Sequence, residues 1–413
     1  MLLRIFWSTL RRHSLMPTLV LLQVALACAI LCNVLFLAWQ QLEPMLAPSG
    51  VDGADLILID GLDAPGRSWT AAEVQAGTDA LRAVPGVRAA TAAFGLPMVS
   101  TVLSVNAFRG PNGVVVVTNV YAGYHLLDVL GLQRVSGRDF LAEEYRDMDS
   151  DQGKGVPQPT IITESLARQL FGDASPLGQV LHGPDDGKNQ PGAVVVGVVR
   201  HLLRNQMNMA TDGRADDTVL QASRVTSTLW LDYAVRVDPS MRALALRDVR
   251  QAIKRQFGAL LPVGSTPDVE FYATRRDAIF ESRHATLWLF AGVALSVLVV
   301  TVIGIMGLTG FWVQKRTRQI GIRRALGARK ADILSYFLVE NALIVGAGVL
   351  LGMLLAYFGN AWLMSYYELQ RLPWPFLPAG AALMLLLLLG QLAVLSPALR
   401  AAAVPPVVAT RSV

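Results

Sequence analysis

Few residues in this chain have the types and spacing that chemistry needs. Five histidines, His13, His125, His182, His201 and His284, show no ligand spacing, and no H-E-x-x-H or cysteine-rich metal pattern occurs. Cys28 and Cys32 fall one helical turn apart inside an apolar run. That spacing would suit a redox pair, but thiols in hydrocarbon behave as inert small hydrophobes, and packing is the role expected of them. The acidic run Glu143, Glu144, Asp147, Asp149 and Asp151 departs from the EF-hand spacing and reads as a solvated loop. A G-x-x-x-x-G-K-S/T phosphate loop is absent; 183–188 comes nearest, with the wrong spacing and Asn189 after the lysine. No catalytic, cofactor-binding or metal site is therefore assigned, and the chain does not read as an enzyme.

Two features remain. Glu340 lies within an apolar stretch, and an intramembrane ionisable residue is by default a functional suspect. It also sits close to Arg329 and Lys330 along the helix, so a structural ion pair reads equally well. The second feature is the basic segment 315–330, which lies between two apolar runs. Ile320, Ile322 and Leu326 supply apolar contacts, and Arg318, Arg323, Arg324 and Arg329 supply charge. Positive charge beside a span is retained in the cytoplasm, so this reads as a short amphipathic element at the cytoplasmic membrane surface. A topology anchor and a docking helix for a cytoplasmic partner both fit.

The elements that position these features are membrane helices. Of the 413 residues 53% are hydrophobic and only 16% charged, too apolar for an ordinary soluble protein of this length. The net charge of +5 is modest, and its basic residues gather at Arg4, Arg11, Arg12 and 315–330, a membrane-topology pattern rather than a nucleic-acid surface. Four runs reach the roughly 20 apolar residues that a span requires: 16–39, 286–313, 333–363 and 376–399. The first is long for a signal peptide and lacks a clean Ala-x-Ala site, so it reads as an uncleaved span. Residues 1–15 and 400–413 are then cytoplasmic, 314–332 is the cytoplasmic segment, and 364–375 is an external loop. Gly348 and Gly352 form a small-xxx-small pair, suited to close packing within one subunit or to a dimer contact. The polar residues within the spans, Gln23, Asn33, Glu340, Asn341 and Gln391, are too few for an ion pathway.

Between the first two spans, 40–273 reads as a soluble α+β domain outside the cytoplasmic membrane. The expected strands are 54–59, 114–120, 159–163, 194–199, 228–237 and 269–272. Leu229, Leu231, Tyr233 and Val235 share one face of the fifth. Thr70 and Glu73 have the spacing of a capping box for a helix to about 84, 164–170 is a short helix, and Asp238-Pro239 opens a helix to about 257. Gly137, Gly172, Gly178 and Gly197 fit tight turns that flank strands. Residues 274–285 are charged and continue without Gly or Pro into the next span, as one helix leaving the membrane. The fold class is thus membrane α-helical, with four transmembrane helices and a large extracytoplasmic α+β domain between the first and second.

The order Arg-Gln-Ile-Gly-Ile-Arg-Arg-Ala-Leu-Gly-Ala at 318–328, with Glu340 at the head of the next span, closely resembles the cytoplasmic signature of the FtsX/MacB-type (type VII) ABC transporter permeases. Gln319 stands where that family usually has Glu. Val135-Ser-Gly-Arg-Asp-Phe, Ile161 to Gly172, Pro176-Leu-Gly and Gly197-Val-Val are similar to its MacB-like periplasmic core domain. The resemblance implies that Arg318, Gly321, Ile322, Arg323, Arg324, Ala325, Leu326, Gly327 and Ala328 form the ATPase-coupling site, and that 274–285 is a stalk helix. It implies an inner-membrane protein with both termini cytoplasmic and the large domain periplasmic. ATP would be bound and hydrolysed by a separate ABC ATPase subunit. A second permease subunit, identical or paralogous, is the other partner; a periplasmic adaptor stays open, and nucleic acid is excluded. The implied function is mechanotransmission that exports a peptide, antibiotic or lipophilic substrate. Activation of a periplasmic cell-wall hydrolase without transport, and sensing of peptides or antibiotics, are the alternatives.

Overall fold

The structure, a computed structural model, describes residues 15–63, 66–99, 105–148, 156–183, 192–204, 216–367 and 377–403. The chain divides into two compact units, Met1–Leu42 with Arg283–Val413, and Glu43–Ser282.

In chain order the elements are α1 (Leu15–Leu46), β1 (Leu56–Asp63), α2 (Ala71–Arg82), β2 (Val87–Phe94), β3 (Val105–Arg109), β4 (Val115–Gly123), α3 (Leu126–Leu130), β5 (Arg134–Gly137), β6 (Arg146–Asp147), β7 (Gln158–Thr163), α4 (Glu164–Phe171), β8 (Val180–Leu181), β9 (Ala193–Val199), β10 (Thr218–Gln221), β11 (Ser223–Arg224), β12 (Trp230–Val237), α5 (Arg242–Phe257), β13 (Asp268–Phe271), α6 (Tyr272–Ala325), α7 (Lys330–Tyr367) and α8 (Leu377–Ala403).

The second unit is built on one mixed sheet in the order β13-β1-β12-β2-β4-β10-β7-β9-β5, with β3 added on β4 and β8 on β9. β4 with β10 and β7 with β9 run parallel; the remaining pairs of this sheet are antiparallel. Helices cover both faces of its β1–β12–β2 part. Ile57, Ile59, Tyr233 and Val235 pack with Phe257 of α5 and Leu81 of α2, while Leu56, Leu58 and Ala234 pack on the opposite face with Leu126 and Leu130 of α3. The shared face expected for 228–237 is there for three of its four residues. Leu231, Tyr233 and Val235 do share a face, but the other face is buried too, and Leu229 lies outside the strand and is exposed. A central strand buried on both faces loses the alternation that would reveal it.

Local chemistry accounts for the helix starts. Thr70 accepts from the Glu73 N–H, and the Glu73 carboxylate accepts from the Thr70 N–H at 2.9 Å, a reciprocal capping box. Arg67 and Thr70 together hold the Glu73 carboxyl down at about 2. Asp238 caps a short 3-10 turn at Pro239–Met241, and α5 follows from Arg242. Tyr272, expected to end the last strand, is the first residue of α6. Gly172 and Gly178 take positive φ in turns, and Gly137 does so as the last residue of β5. Gly197 departs from its expected turn: it lies inside β9, paired with Gly137, where a Cβ on Gly137 would fall 2.7 Å from the Gly197 Cα. The two strands approach there more closely than side chains allow.

In the first unit Leu15–Leu46, Tyr272–Arg316 and Lys330–Trp362 are long and apolar enough to cross a membrane, and Met384–Arg400 is a shorter apolar stretch of α8. No helix break separates 274–285, 286–313 and the beginning of 314–332; all lie on α6. The expected external loop at 364–375 begins as the end of α7, and 368–376 fall outside the described residues. Gly348 and Gly352 face α1 of the same chain: a Cβ would meet the Leu21 carbonyl at 2.9 Å and the Ala25 carbonyl at 2.5 Å. Of the two roles expected for this pair, the structure uses internal packing. Polar side chains bind across helices: Gln23 donates to the Val300 carbonyl, Asn360 to Asn33 Oδ1 at 2.8 Å, and Asn341 to the Gly390 carbonyl at 3.1 Å. Cys28 and Cys32 are buried, unbridged thiols within the same core.

Gly352→Leu forces a side chain against the backbone of α1, and such overpacking costs about 1–3 kcal/mol. The expected outcome is a lower unfolding temperature of the full chain in detergent, whereas Gly346→Ala, whose added methyl meets nothing within 4 Å, leaves it unchanged or raised. Equal losses in both variants would show that helix approach at Gly352 is not the constraint.

Candidate functional site: the corner between α6 and α7

The basic segment is not a separate surface helix. Its first part completes α6, and α7 begins at Lys330 after a four-residue corner. Gly327 has φ +98°, the left-handed region that ends helices without a Cβ penalty. The Leu326 N–H returns to the Ile322 carbonyl and the Ala328 N–H to the Arg323 carbonyl, both at 3.1 Å, so two carbonyls of the last turn of α6 are satisfied. On the other side the Asp332 carboxylate accepts from the Arg329 N–H at 2.9 Å and caps α7. The corner is thereby determined by short-range chemistry at both of its ends.

The apolar residues of the segment divide into two sets. Ile320 and Ile333 are buried in the helix core with Phe337 and Trp312. Ile322 and Leu326, one turn apart, are 48% and 83% exposed. Arg323 is exposed and stacks over the Tyr336 ring at 5.1 Å; Gly327 is exposed and Ala328 half-buried. Arg318, Gly321, Arg324 and Ala325 occupy helical positions of α6, and their side chains lie outside the described set, as does that of Gln319. The site thus presents an exposed Ile–Leu pair on a basic helix end that is itself anchored from below.

The anchor is Glu340, only 8% exposed, whose carboxylate meets Arg316 at 3.4 Å. This corrects the pairing with Arg329 and Lys330 expected along the helix. Arg329 instead uses its backbone N–H on Asp332. Arg316 also lies 4.3 Å from the centroid of the Trp312 ring, and Trp312 packs edge-on against Phe337 of α7. A guanidinium is suited to this double duty, since it stacks on an aromatic face while its edge meets a carboxylate. Sequence reasoning missed Arg316; its signal was symmetry, because Arg316 and Glu340 stand nearly equidistant from Gly327 on the two arms of the hairpin.

Among the described residues, the other candidates from sequence do not converge on a second site. Glu144 pairs with Arg138 at 2.5 Å, Asp147 lies 3.9 Å from Arg224, and Asp149 and Asp151 fall outside the described residues. His201 Nδ1 lies 2.6 Å from Asp216, which also accepts from the Leu202 N–H. His125 lies 3.8 Å from Asp128.

Two family models match this sequence: FtsX-like permease C-terminal over residues 291–406, and MacB-like periplasmic core domain over 21–258. Macrolide export ATP-binding/permease protein MacB 1 of Aeromonas hydrophila subsp. hydrophila is 28% identical over 285 residues, 65% of this chain and 40% of its own. Macrolide export ATP-binding/permease protein MacB 1/2 of Paracoccus denitrificans is 30% identical over 298 residues, 69% of this chain and 40% of its own. The chain thus matches at most about two-fifths of the length of these relatives. The crystal structure of the periplasmic region of MacB from Actinobacillus actinomycetemcomitans aligns with 56% of this chain and 95% of that one, at 15% identity and a TM-score of 0.36.

Arg316→Ala leaves a carboxylate buried without its partner, a change that costs about 3–5 kcal/mol in protein interiors. The expected outcome is a marked loss of thermal stability in detergent, shared by Arg316→Met alone and larger than the loss in the Arg316→Met/Glu340→Leu double variant, with Glu340→Leu alone closing the cycle. Strictly additive losses in this double-mutant cycle would show that the two side chains are not coupled.

Proposed function

The chain belongs to the FtsX/MacB-type family of ABC transporter permeases, and from that premise we propose that it is a membrane subunit whose α6–α7 corner receives force from an ABC ATPase on a separate polypeptide. The observation that carries this reading is the exposure of Ile322 and Leu326 at the end of a basic helix whose neighbours Ile320 and Ile333 are buried. An apolar anchor on a helix end rich in arginine suits a partner surface with an apolar cleft and acidic rim. Gln319 replaces a charge common in the family, so the docking energy rests more heavily on these apolar contacts.

The 413 residues contain no phosphate-binding loop, so in this reading ATP is bound and hydrolysed outside them, and the ATPase is taken as the docking partner of the corner. In this reading α8 supplies a fourth span beside the three long apolar helices, and the positive residues before α1 and at the corner orient the termini to the cytoplasm and the domain to the periplasm. Two permease subunits pair in the membrane and two ATPases dock on their corners. Closure of the ATPases moves each corner, and α6, helical from Tyr272 to Ala325, carries the displacement as the stalk. The substrate is a lipophilic or peptide-like compound handled outside the bilayer, and the relatives named for macrolide export favour an antibiotic of that class.

Leu326→Asp places a charge where the partner needs an apolar contact. A hot-spot loss of about 2 kcal/mol or more corresponds to at least about thirtyfold weaker binding. The expected outcome is that the variant inserts normally, fails to co-purify with a P-loop ATPase, and no longer changes its ATPase rate in lipid. Unchanged binding and rate would remove the docking assignment.

A further inference from the structure

The sheet holds an unbalanced row of charges where α6 begins. β1 bulges between Ile59 and Leu62, so that Asp60 and Gly61 stand opposite the single residue Asp232 of β12. On its other edge Asp60 pairs in register with Asp268 of β13. Three aspartates therefore lie side by side across three neighbouring strands, an arrangement of like charges that destabilises a sheet unless something compensates it. A compensating cation is in reach. Arg275, in the first turn of α6, meets Asp60 at 2.8 and 3.0 Å and Asp268 at 2.9 Å.

Asp232 is left over. It is 0% exposed, and neither carboxylate oxygen has a hydrogen-bond partner. An ionised carboxylate held in that way would cost far more than taking up a proton. Among the described residues no trio of His, Cys, Asp or Glu closes into a metal-holding arrangement. The charges acting on Asp232 come from β1, as Asp60 and Asp63, and from α6, as Arg275. β2 faces it with Ala93. α3, on the same side of β12, carries Asp128, which is two-thirds exposed and lies beside His125. Beside Arg275, β13 adds Glu270 to Asp268.

We propose that this row is a proton-dependent latch on the root of α6. With Asp232 neutral, Arg275 is committed to Asp60 and Asp268, and the first turns of α6 are fastened to the sheet. When Asp232 loses its proton, a third carboxylate competes for the same guanidinium and repels Asp60 and Asp63, and the root of α6 loosens. Burial, reinforced by Asp60, raises the Asp232 carboxyl well above the usual carboxylate range, and burial raises Asp63 as well. A raised folded value means that the folded chain holds its proton more tightly than the unfolded chain does. The contribution of Asp232 to stability is therefore fully present below the unfolded value, about 3.9, and is lost as pH rises through the folded value. The latch closes in acid and opens in alkali, whatever drives the α6–α7 corner.

The test uses the full chain in lipid nanodiscs, read by infrared spectroscopy and by hydrogen exchange corrected for intrinsic rates, across a pH series from mildly acidic to alkaline. The expected results are a protonated-carboxyl band that Asp232→Asn removes, and protection of the start of α6 that falls at least about tenfold with rising pH in the wild type but stays flat in Asp232→Asn. A pH response in Asp232→Asn equal to that of the wild type overturns the latch. If Asp232→Asn does not fold, the wild type decides alone. A protonated-carboxyl band that disappears in step with α6 protection supports the proposal, and absence of the band, or its loss without a change in protection, overturns it. Neither readout involves the ATPase.

Discussion

The approach of α7 to α1 at Gly348 and Gly352 is the contact on which the rest of the helix core depends. In hydrocarbon, helices gain little by hiding apolar side chains from lipid, so association relies on close packing and on the few polar groups that find partners. Two glycines on one face let the backbone of α7 approach the carbonyls of Leu21 and Ala25, and Cys28 fills the neighbouring space as a small side chain. Gln23 reaches α6 from the same helix, and Asn33 receives a hydrogen bond from Asn360 of α7. α1 is thus a spine against which α6 and α7 are registered.

That registration gives the corner its mechanical character. Ile320, Ile333, Trp312 and Phe337 hold the two arms together, and Arg316 with Glu340 adds a directional tie within an apolar setting. Gly327 and the Asp332 cap then turn the chain within four residues. The exposed Ile322 and Leu326 are therefore carried on a corner whose two arms are tied by apolar packing and by an ion pair.

Within the second unit the first turns of α6 are held by a different device. Arg275 and Arg276 are neighbours on the first turns of that helix: one binds the aspartate row of the sheet, and the other donates to the carbonyls of Met45 and Ala47 at the end of α1. Cations on helix-end carbonyls satisfy groups that have no intrahelical partner. The root of α6 is held by these charges and hydrogen bonds together with buried Tyr272 and Phe280, and its far end by apolar packing together with the Arg316–Glu340 tie. The aspartate row is the part of the root fastening that the proposed latch makes sensitive to protons.

What the sequence determined alone was local or cumulative. Hydropathy summed over a run identified the apolar helices, Thr70 and Glu73 announced α2 because a capping box needs only residues three apart, and the ordered residues of 318–328 carried the family resemblance. What only the tertiary structure decided was pairing over long separations. Arg316 with Glu340, Asp60 with Asp232 and Arg275, Gly137 with Gly197, and the burial of β12 on both faces depend on which elements become neighbours. Periodicity records which face of a helix or strand is apolar but not what it will meet, and the partner rather than the face decides whether a charge is tied, stacked or left to keep its proton.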